Sequence, residues 1–213
     1  MLHSLESSVI DTLRSLFDAV GWLGVVIAMA IESACIPLPS EIIMPLAGWL
    51  IVDARDLGWF GVVVAGFWGA VGNVLGSSIA YYAGARGGRP LIEKYGRYLL
   101  ISRKDLDRAD RWFTQWGELT AFASRLLPVV RTFISLPAGI ARMPFIKFVV
   151  YTFLGSFIWS TLLAAVGYHW GQNWETFREK ARIFDYPIAL AILALIAWHV
   201  WHKFHEIRRE SAE

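Results

Sequence analysis

Two glutamates flank a pair of prolines in a stretch, residues 32–48, that is otherwise apolar enough to enter a bilayer. Glu32 precedes Pro37 and Pro39, and Glu41 follows them. An ionisable side chain at bilayer depth costs roughly 2.5–3.5 kcal/mol on insertion scales unless it meets a partner or a water-filled cavity. These carboxylates therefore indicate a functional site, in which they could pair with cations and exchange protons.

A second stretch, residues 124–139, carries basic groups in the same kind of setting. Arg125 and Arg131 lie six residues apart, so an unbroken helix would direct them to different faces. Pro128 lies between them, and by breaking the helix it could turn both guanidinium groups toward one cavity. Guanidinium groups bind phosphate oxygens in bidentate fashion. Arg125 and Arg131 are therefore the predicted phosphate-binding residues.

Three polar residues nearby are further candidates for the substrate site. Ser40 is predicted as the N-cap of a helix, whose free amide groups and dipole favour an anion. Ser135 could contact a ligand. Asn73 could equally bind a ligand or form an interhelical hydrogen bond. The prolines predicted to break the helices here are Pro37, Pro39, Pro128 and Pro137.

Membrane helices are the elements predicted to position these residues. The chain is 56% hydrophobic with a mean hydropathy of +0.46, which is too apolar for an ordinary soluble domain of 213 residues. Residues 60–84 and 145–170 are each long enough to cross about 30 Å of hydrocarbon, and residues 186–205 are predicted as the final transmembrane helix. Residues 20–52 and 119–142 each consist of two runs of about 10–14 residues separated by proline, which predicts re-entrant hairpins.

The remaining segments are predicted to be helices at the membrane surface. Residues 1–19 show apolar residues at helical spacing, which is typical of an amphipathic helix lying on the bilayer. Residues 85–118 are basic and amphipathic and are predicted to contact anionic lipid rather than nucleic acid. If this segment is cytoplasmic, the first hairpin enters from the outer face, the second enters from the inner face, and the C-terminus is cytoplasmic.

An internal repeat is consistent with that arrangement. Pro37 and Pro128 stand at the same distance before an Ala-Gly pair, which ends in Gly48 in the first half and in Gly139 in the second. The first repeat then covers residues 20–84 and the second residues 119–171, within one membrane domain of residues 1–213. Oppositely oriented repeats are common in secondary transporters, whose sites lie near the bilayer midplane.

The order of these motifs resembles the DedA family, the bacterial relatives of the SNARE-associated, or VTT-domain, membrane proteins. The resemblance covers about residues 15–205. The residues that carry it are ESACIPLPSE at 32–41, Gly72-Asn73 with Gly76, Tyr82-x-Gly84, SRLLPVVR at 124–131, and Ala138-Gly139 with Met143. It implies facing re-entrant hairpins, a bacterial inner-membrane location and movement of lipids across the bilayer. It also implies that Glu32 and Glu41 form an essential acidic pair and that Arg125 and Arg131 form an essential basic pair.

The expected function is that of a transporter or flippase for a lipid-linked phosphate, undecaprenyl phosphate or a phospholipid, with coupling to protons. In this hypothesis Glu32 and Glu41 pair with the arginines in the empty state. The headgroup phosphate then displaces a carboxylate, which takes up a proton. The expected partners are membrane lipids and protons, no metal, cofactor or nucleic acid is expected, and homo-oligomerisation stays open.

Several alternatives remain at this point. The same arginines could serve a proton-coupled transporter of a small ion or oxyanion, or a phospholipid scramblase. Glu32 and Arg125 could instead form an ion pair that only locks the hairpins together. A lipid-phosphate phosphatase is disfavoured because the sequence has no acidic metal cluster, no histidine beside the arginines and no Cys-x5-Arg loop.

Overall fold

The computed structural model describes residues 2–34, 39–88, 103–127, 131 and 134–171, with the backbone alone for residues 2–9 and 103–110. These residues belong to one structural unit, residues 1–172. The secondary structure in the described ranges is entirely helical, which confirms the all-α prediction. The predicted final transmembrane helix, residues 186–205, lies outside the described residues, as do Pro37 and Pro128.

Seven α-helices make up the described part of the chain. They are α1 (Leu2–Val20), α2 (Trp22–Ser33), α3 (Ser40–Ala47), α4 (Gly58–Ala83), α5 (Arg103–Ser124), α6 (Ser135–Ile140) and α7 (Phe145–Trp170). Two of them continue as π-helical segments, α3 into Gly48–Asp53 and α4 into Gly84–Gly88. Pro45 lies inside α3, one turn before its π-helical continuation.

Two of the described helices are long and apolar enough to cross a membrane. They are α4 with its continuation, Gly58–Gly88 (31 residues, mean hydropathy 1.6), and α7, Phe145–Trp170 (26 residues, mean hydropathy 1.8). At 1.5 Å per residue a 26-residue helix is about 39 Å long, more than the hydrocarbon thickness of about 30 Å. The two predicted spans are therefore confirmed as helices of spanning length, and they pack against each other.

In each of the two regions that contain the predicted site residues, one helix ends and another begins further along the chain. The first break separates the end of α2 at Ser33 from the start of α3 at Ser40. In the second region, α5 ends at Ser124, residues 125–127 are non-helical, and α6 begins at Ser135. In both regions a helix thus ends shortly before the predicted proline, and the re-entrant hairpins stay a prediction. The predicted segment boundary at residue 118 coincides with no helix end, because α5 runs through it without interruption. Its only glycine, Gly117, costs a helix about 1 kcal/mol, which is too little to end one.

The N-terminal helix α1 is amphipathic, as predicted, but the contacts of its apolar face differ from the expectation. Leu13 and Phe17 are buried and join a core cluster with Val25 and Met29 of α2 and Ile43 of α3. At these positions the apolar face of α1 therefore contacts the protein and not a bilayer surface.

Glycines allow the short helices α3 and α6 to pack backbone to backbone on the long ones. A Cβ atom placed on Gly48 would lie 2.1 Å from the carbonyl oxygen of Ala164 in α7. A Cβ atom placed on Gly139 of α6 would lie 2.0 Å from the carbonyl oxygen of Tyr81 in α4. No side chain fits at such distances, so small residues set these helix–helix contacts.

Candidate functional site

Arg131 lies between α5 and α6 in the chain, and its guanidinium group joins both predicted carboxylates. Its Nη2 atom lies 3.0 Å from Oε1 of Glu32 and 3.2 Å from Oε1 of Glu41. Glu32 lies in the last turn of α2 and Glu41 in the first turn of α3. The residues predicted from two stretches some 90 positions apart therefore form a single site.

The two ion pairs of Arg131 differ in their exposure to solvent. The side chains of Arg131 and Glu32 are each only 3% exposed, whereas that of Glu41 is 41% exposed. Ser33 supports Glu32 by donating a hydrogen bond from Oγ to Oε2 at 2.9 Å. Since a buried pair is screened far less than an exposed one, Glu32 holds Arg131 more firmly than Glu41 does.

Arg125 is fully buried and directs its Nη donors toward the protein, whereas its Nε atom has no partner among the described residues. Nη2 donates to Ser135 Oγ at 2.9 Å and to Thr152 Oγ1 at 3.3 Å. Nη1 donates to the backbone carbonyl of Arg131 and, at 3.4 Å, to Oδ1 of Asn73. Arg125 forms no ion pair with any described residue. The ion pair considered between Glu32 and Arg125 is therefore not formed, because Glu32 pairs with Arg131 instead.

Asn73 connects the long helices to this network. Its Oδ1 accepts hydrogen bonds from Arg125, from Ser77 Oγ at 3.3 Å and from Ser156 Oγ at 3.0 Å. Ser77 lies on α4 with Asn73, whereas Ser156 lies on α7. Of the two roles considered for Asn73, the structure shows the interhelical hydrogen bond. The buried Arg125 is thereby fixed to both candidate spans.

Several buried donors around Arg131 have no hydrogen-bond partner among the described residues. On Arg131 itself these are Nε and Nη1. The indole ring of Trp159 lies beside the same guanidinium group, with the Arg131 Cζ atom 5.6 Å from the ring centroid, and its Nε1 is also unpartnered. An unsatisfied buried donor costs about 1–3 kcal/mol. Such a cluster therefore indicates a place where a ligand or water completes the hydrogen bonds.

Ser40 also has an unpartnered hydroxyl group, but its predicted role as a helix cap is wrong. The extended residue Pro39 occupies the N-cap position of α3, and Ser40 is the first helical residue. Its buried Oγ has no partner within the described part of the chain. The prediction for Pro137 also needs correction: it lies within α6, in the first turn, where the missing N–H group is tolerated.

Comparison with known families identifies the chain. A family model described as the VTT domain matches residues 38–169, which include Glu41, Asn73, Arg125, Arg131 and all of α7 except its last residue. The chain belongs to the VTT-domain family. The DedA resemblance drawn from the sequence is therefore confirmed, and with it the assignment to a family of membrane proteins.

Three relatives illustrate the similarity of this VTT-domain protein to others. Undecaprenyl phosphate transporter A of Bacillus subtilis (strain 168) is 36% identical over 183 residues, covering 86% of this chain and 88% of the relative. Undecaprenyl phosphate transporter A of Staphylococcus aureus (strain NCTC 8325 / PS 47) is 30% identical over 152 residues, covering 69% and 72%. Alkaline phosphatase-like protein of Lactococcus lactis subsp. cremoris (strain MG1363) is 34% identical over 170 residues, covering 78% of each. No solved structure matches the chain.

The site of this VTT-domain protein includes residues of α7 that the sequence reasoning missed. Thr152, Ser156 and Ser160 are buried polar residues on one face of the helix, with Trp159 beside them. A signal was available, because hydroxyl side chains recur every four residues in an apolar 26-residue span. Within the described ranges, no three His, Cys, Asp or Glu side chains come together in a way that could hold a metal ion.

Proposed function

We propose that this protein carries a lipid-linked phosphate of the undecaprenyl phosphate type across the bacterial inner membrane. One observation carries the proposal: a buried guanidinium, that of Arg131, whose Nε and Nη1 donors have no partner among the described residues. A buried arginine that binds both carboxylates through Nη2 alone keeps its remaining N–H groups for another acceptor. Phosphate oxygens are acceptors whose geometry matches the donors of a guanidinium group.

Displacement of Glu41 would complete the phosphate site. A guanidinium group can bind an oxyanion in bidentate fashion along its Nη1–Nη2 edge or its Nε–Nη2 edge, and both edges use Nη2. In Arg131, Nη2 is already engaged by Glu32 and Glu41. Glu41 is the more exposed carboxylate, and its second oxygen lies 3.5 Å from Nη2. A phosphate group would therefore displace Glu41 more readily than the buried Glu32. The released Glu41 carboxylate, half exposed, could take up a proton, which would couple phosphate movement to protons.

Arg125 has a different role in this proposal, that of positioning Arg131. Its Nη donors are engaged by Asn73, Ser135, Thr152 and the Arg131 backbone. A ligand could reach them only by breaking several of these bonds. Arg125 therefore fixes the backbone of Arg131 relative to α4 and α7, and Ser135 and Asn73 act through Arg125 rather than by contacting substrate.

The proposed membrane arrangement is two re-entrant hairpins of opposite orientation, related by an inverted repeat. Equivalent contacts in the two halves support it. Gly48 of the first half packs on Ala164 of the second span, and Gly139 of the second half packs on Tyr81 of the first span. The short helix of each half thus packs against the long helix of the other half. A pseudo-two-fold axis in the membrane plane would produce this reciprocal pattern.

The helices α2 and α5, which precede α3 and α6, also make equivalent contacts in the two halves. A Cβ atom placed on Gly72 of α4 would meet the carbonyl oxygen of Val26 in α2 at 2.5 Å. A Cβ atom placed on Gly155 of α7 would meet the carbonyl oxygen of Phe122 in α5 at 2.7 Å. Each long helix therefore uses a glycine to approach the helix that precedes the break of its own half.

Two relatives, one in Bacillus subtilis and one in Staphylococcus aureus, are named undecaprenyl phosphate transporter A. These names are consistent with the proposed substrate.

The test is translocation in proteoliposomes that contain the purified protein. Undecaprenyl phosphate, a fluorescent phospholipid and entrapped inorganic phosphate are compared as substrates, and release of inorganic phosphate from the lipid is followed in parallel. Protein-dependent movement of undecaprenyl phosphate without phosphate release is expected. Movement of inorganic phosphate alone, or hydrolysis of the lipid, would overturn the proposal.

Proton coupling is tested in the same liposomes with Glu41→Gln. The wild type is expected to move undecaprenyl phosphate faster when a pH gradient is imposed, and the variant is expected to transport at a rate that the gradient does not change. A variant that responds to the gradient as fully as the wild type would exclude Glu41 from the coupling.

A further inference from the structure

A cavity of about 600 Å³ lies apart from the Arg131 site, between the second half of α5 and the segment that leads into α7. Its basic groups are Arg142 and Lys147, and its aromatic wall includes Phe113, Trp116 and Phe122. Cavities of roughly 300–1,000 Å³ are typical of small-molecule sites. None of the residues placed in the Arg131 site lines this cavity.

The charges of the cavity favour an anion. Lys147 forms an ion pair with Glu118, and Tyr151 donates a hydrogen bond from its hydroxyl to the other oxygen of Glu118 at 2.7 Å. Arg142 is exposed and forms no ion pair with any described residue. Among the described residues that line the cavity, the three charged side chains therefore leave one positive charge uncompensated.

The apolar wall and the position of the cavity favour a lipid over a soluble anion. Trp116 and Leu119 line the cavity and are each more than half exposed. The neighbour of Lys147, Ile146, is 77% exposed. The cavity also lies at the first turns of α7, the end of a candidate span, where headgroups meet the protein and tryptophan is enriched. A soluble phosphate needs no apolar surface, whereas a lipid presents an acyl or prenyl chain directly below its phosphate.

We propose that this cavity is a second lipid site, which binds the phosphate headgroup of an anionic membrane lipid. Arg142 and Lys147 contact the phosphate, and Trp116 and Leu119 contact the first part of the hydrocarbon chain. Glu118 weakens the site by neutralising Lys147. The proposal goes beyond the proposed transport function and does not require it, since Arg131 and its carboxylates take no part.

Two exposed substitutions test the proposal because they are expected to act in opposite directions. Arg142→Gln removes the uncompensated charge and should weaken binding of a phosphatidic acid about tenfold, the scale of one lost hydrogen-bonded charge. Glu118→Gln frees the ammonium group of Lys147 and should strengthen binding severalfold. A merely structural role for the Glu118–Lys147 pair would instead make Glu118→Gln bind less well than the wild type.

The measurement is the dissociation constant of the purified full chain in detergent, by native mass spectrometry. The probes are a phosphatidic acid, a zwitterionic phosphatidylcholine and inorganic phosphate. Arg55→Gln serves as a control, since Arg55 is exposed and does not line the cavity. A double variant, Glu32→Gln with Arg131→Gln, is expected to keep this binding. Unchanged binding in Arg142→Gln, weaker binding in Glu118→Gln, or equal binding of inorganic phosphate would each overturn the proposal.

Discussion

Replacing Arg131 alone should destabilise the protein far more than replacing Arg131 and Glu32 together. In Arg131→Gln the buried carboxylate of Glu32 loses its cation and keeps the hydroxyl of Ser33 as its one described hydrogen-bond donor. Removal of one partner from a buried ion pair costs about 3–5 kcal/mol. In Glu32→Gln the loss is smaller, because Arg131 retains the half-exposed Glu41. In the double variant two neutral amides replace the pair, and no buried charge is left alone.

The magnitude is large enough to measure by thermal unfolding in detergent. For a chain of 150–250 residues, 1 kcal/mol shifts Tm by about 2–4 °C, so Arg131→Gln should lower Tm by roughly 6–20 °C. Glu32→Gln should lie between this variant and the wild type, and the double variant should come within a few degrees of the wild type. The measurement is made at pH 8, where an orphaned carboxyl group has the least opportunity to become protonated.

These three variants form a double-mutant cycle. The cycle refutes the ion pair between Glu32 and Arg131 if the losses of stability in the two single variants simply add in the double variant. Additive losses would mean that Glu32 and Arg131 do not interact, because coupled residues show interaction energies of 0.5–3 kcal/mol. A matched cycle between Glu41 and Arg131 should give a smaller interaction energy, since exposed pairs contribute about 0–1 kcal/mol.

Three further predictions address other parts of the structure. Gly139→Ala should lower stability by about 1–3 kcal/mol because its Cβ atom would overlap the Tyr81 carbonyl, whereas Gly87→Ala, with open space around it, should be nearly neutral in the same unfolding assay. Trp159→Phe removes an unpartnered indole N–H group beside Arg131, so it should slow lipid-phosphate transport in proteoliposomes while leaving Tm within a few degrees of the wild type; equal transport rates would exclude a contact between this N–H group and the substrate. Hydrogen bonds from Lys147 and Tyr151 hold the pKa of Glu118 below its usual value of 4.5, so the Tm difference between wild type and Glu118→Gln should be present at neutral pH and vanish as the pH falls through that lowered pKa; a difference that persists in acid would contradict the assignment.

The long helices and the helix breaks could be predicted from the sequence because their signals are local. An uninterrupted apolar run of spanning length predicts α4 and α7, and a proline between two short apolar runs predicts each break. The predicted segment boundary at residue 118 coincides with no helix end, because the change from basic to apolar composition in α5 is not accompanied by a helix breaker. Composition marks where a segment meets water or lipid, but backbone chemistry decides where a helix ends.

The membership of the site could also be predicted, but its pairing could not. Ionisable residues in apolar sequence single out Glu32, Glu41, Arg125 and Arg131 as candidate site residues whatever their partners are. Which arginine meets which carboxylate depends on the direction in which the chain leaves each break, and this is set by distant packing. The structure accordingly pairs both carboxylates with Arg131 and surrounds Arg125 with Asn73 and hydroxyl groups.

The role of α7 was harder to infer, because serine, threonine and tryptophan in an apolar helix are ordinary residues. Ser156 and Ser160 can be assigned to the site only from their contacts in the folded protein. Ser156 bonds to Asn73, whereas Ser160 has no partner in the described part of the chain. The four-residue spacing of the hydroxyl groups indicates a polar face but not what that face contacts.

The most direct test of Arg131 as the phosphate ligand is undecaprenyl phosphate translocation by the double variant Glu32→Gln/Arg131→Gln. This variant is expected to stay folded, which its Tm reports, so a loss of transport cannot be attributed to unfolding. Glu32→Gln alone, which retains the guanidinium group and its unpartnered donors, is the matched control. We predict that the double variant loses protein-dependent movement while the control retains a measurable rate. Transport by the folded double variant at the rate of the control would contradict the assignment of Arg131 as the phosphate-binding residue.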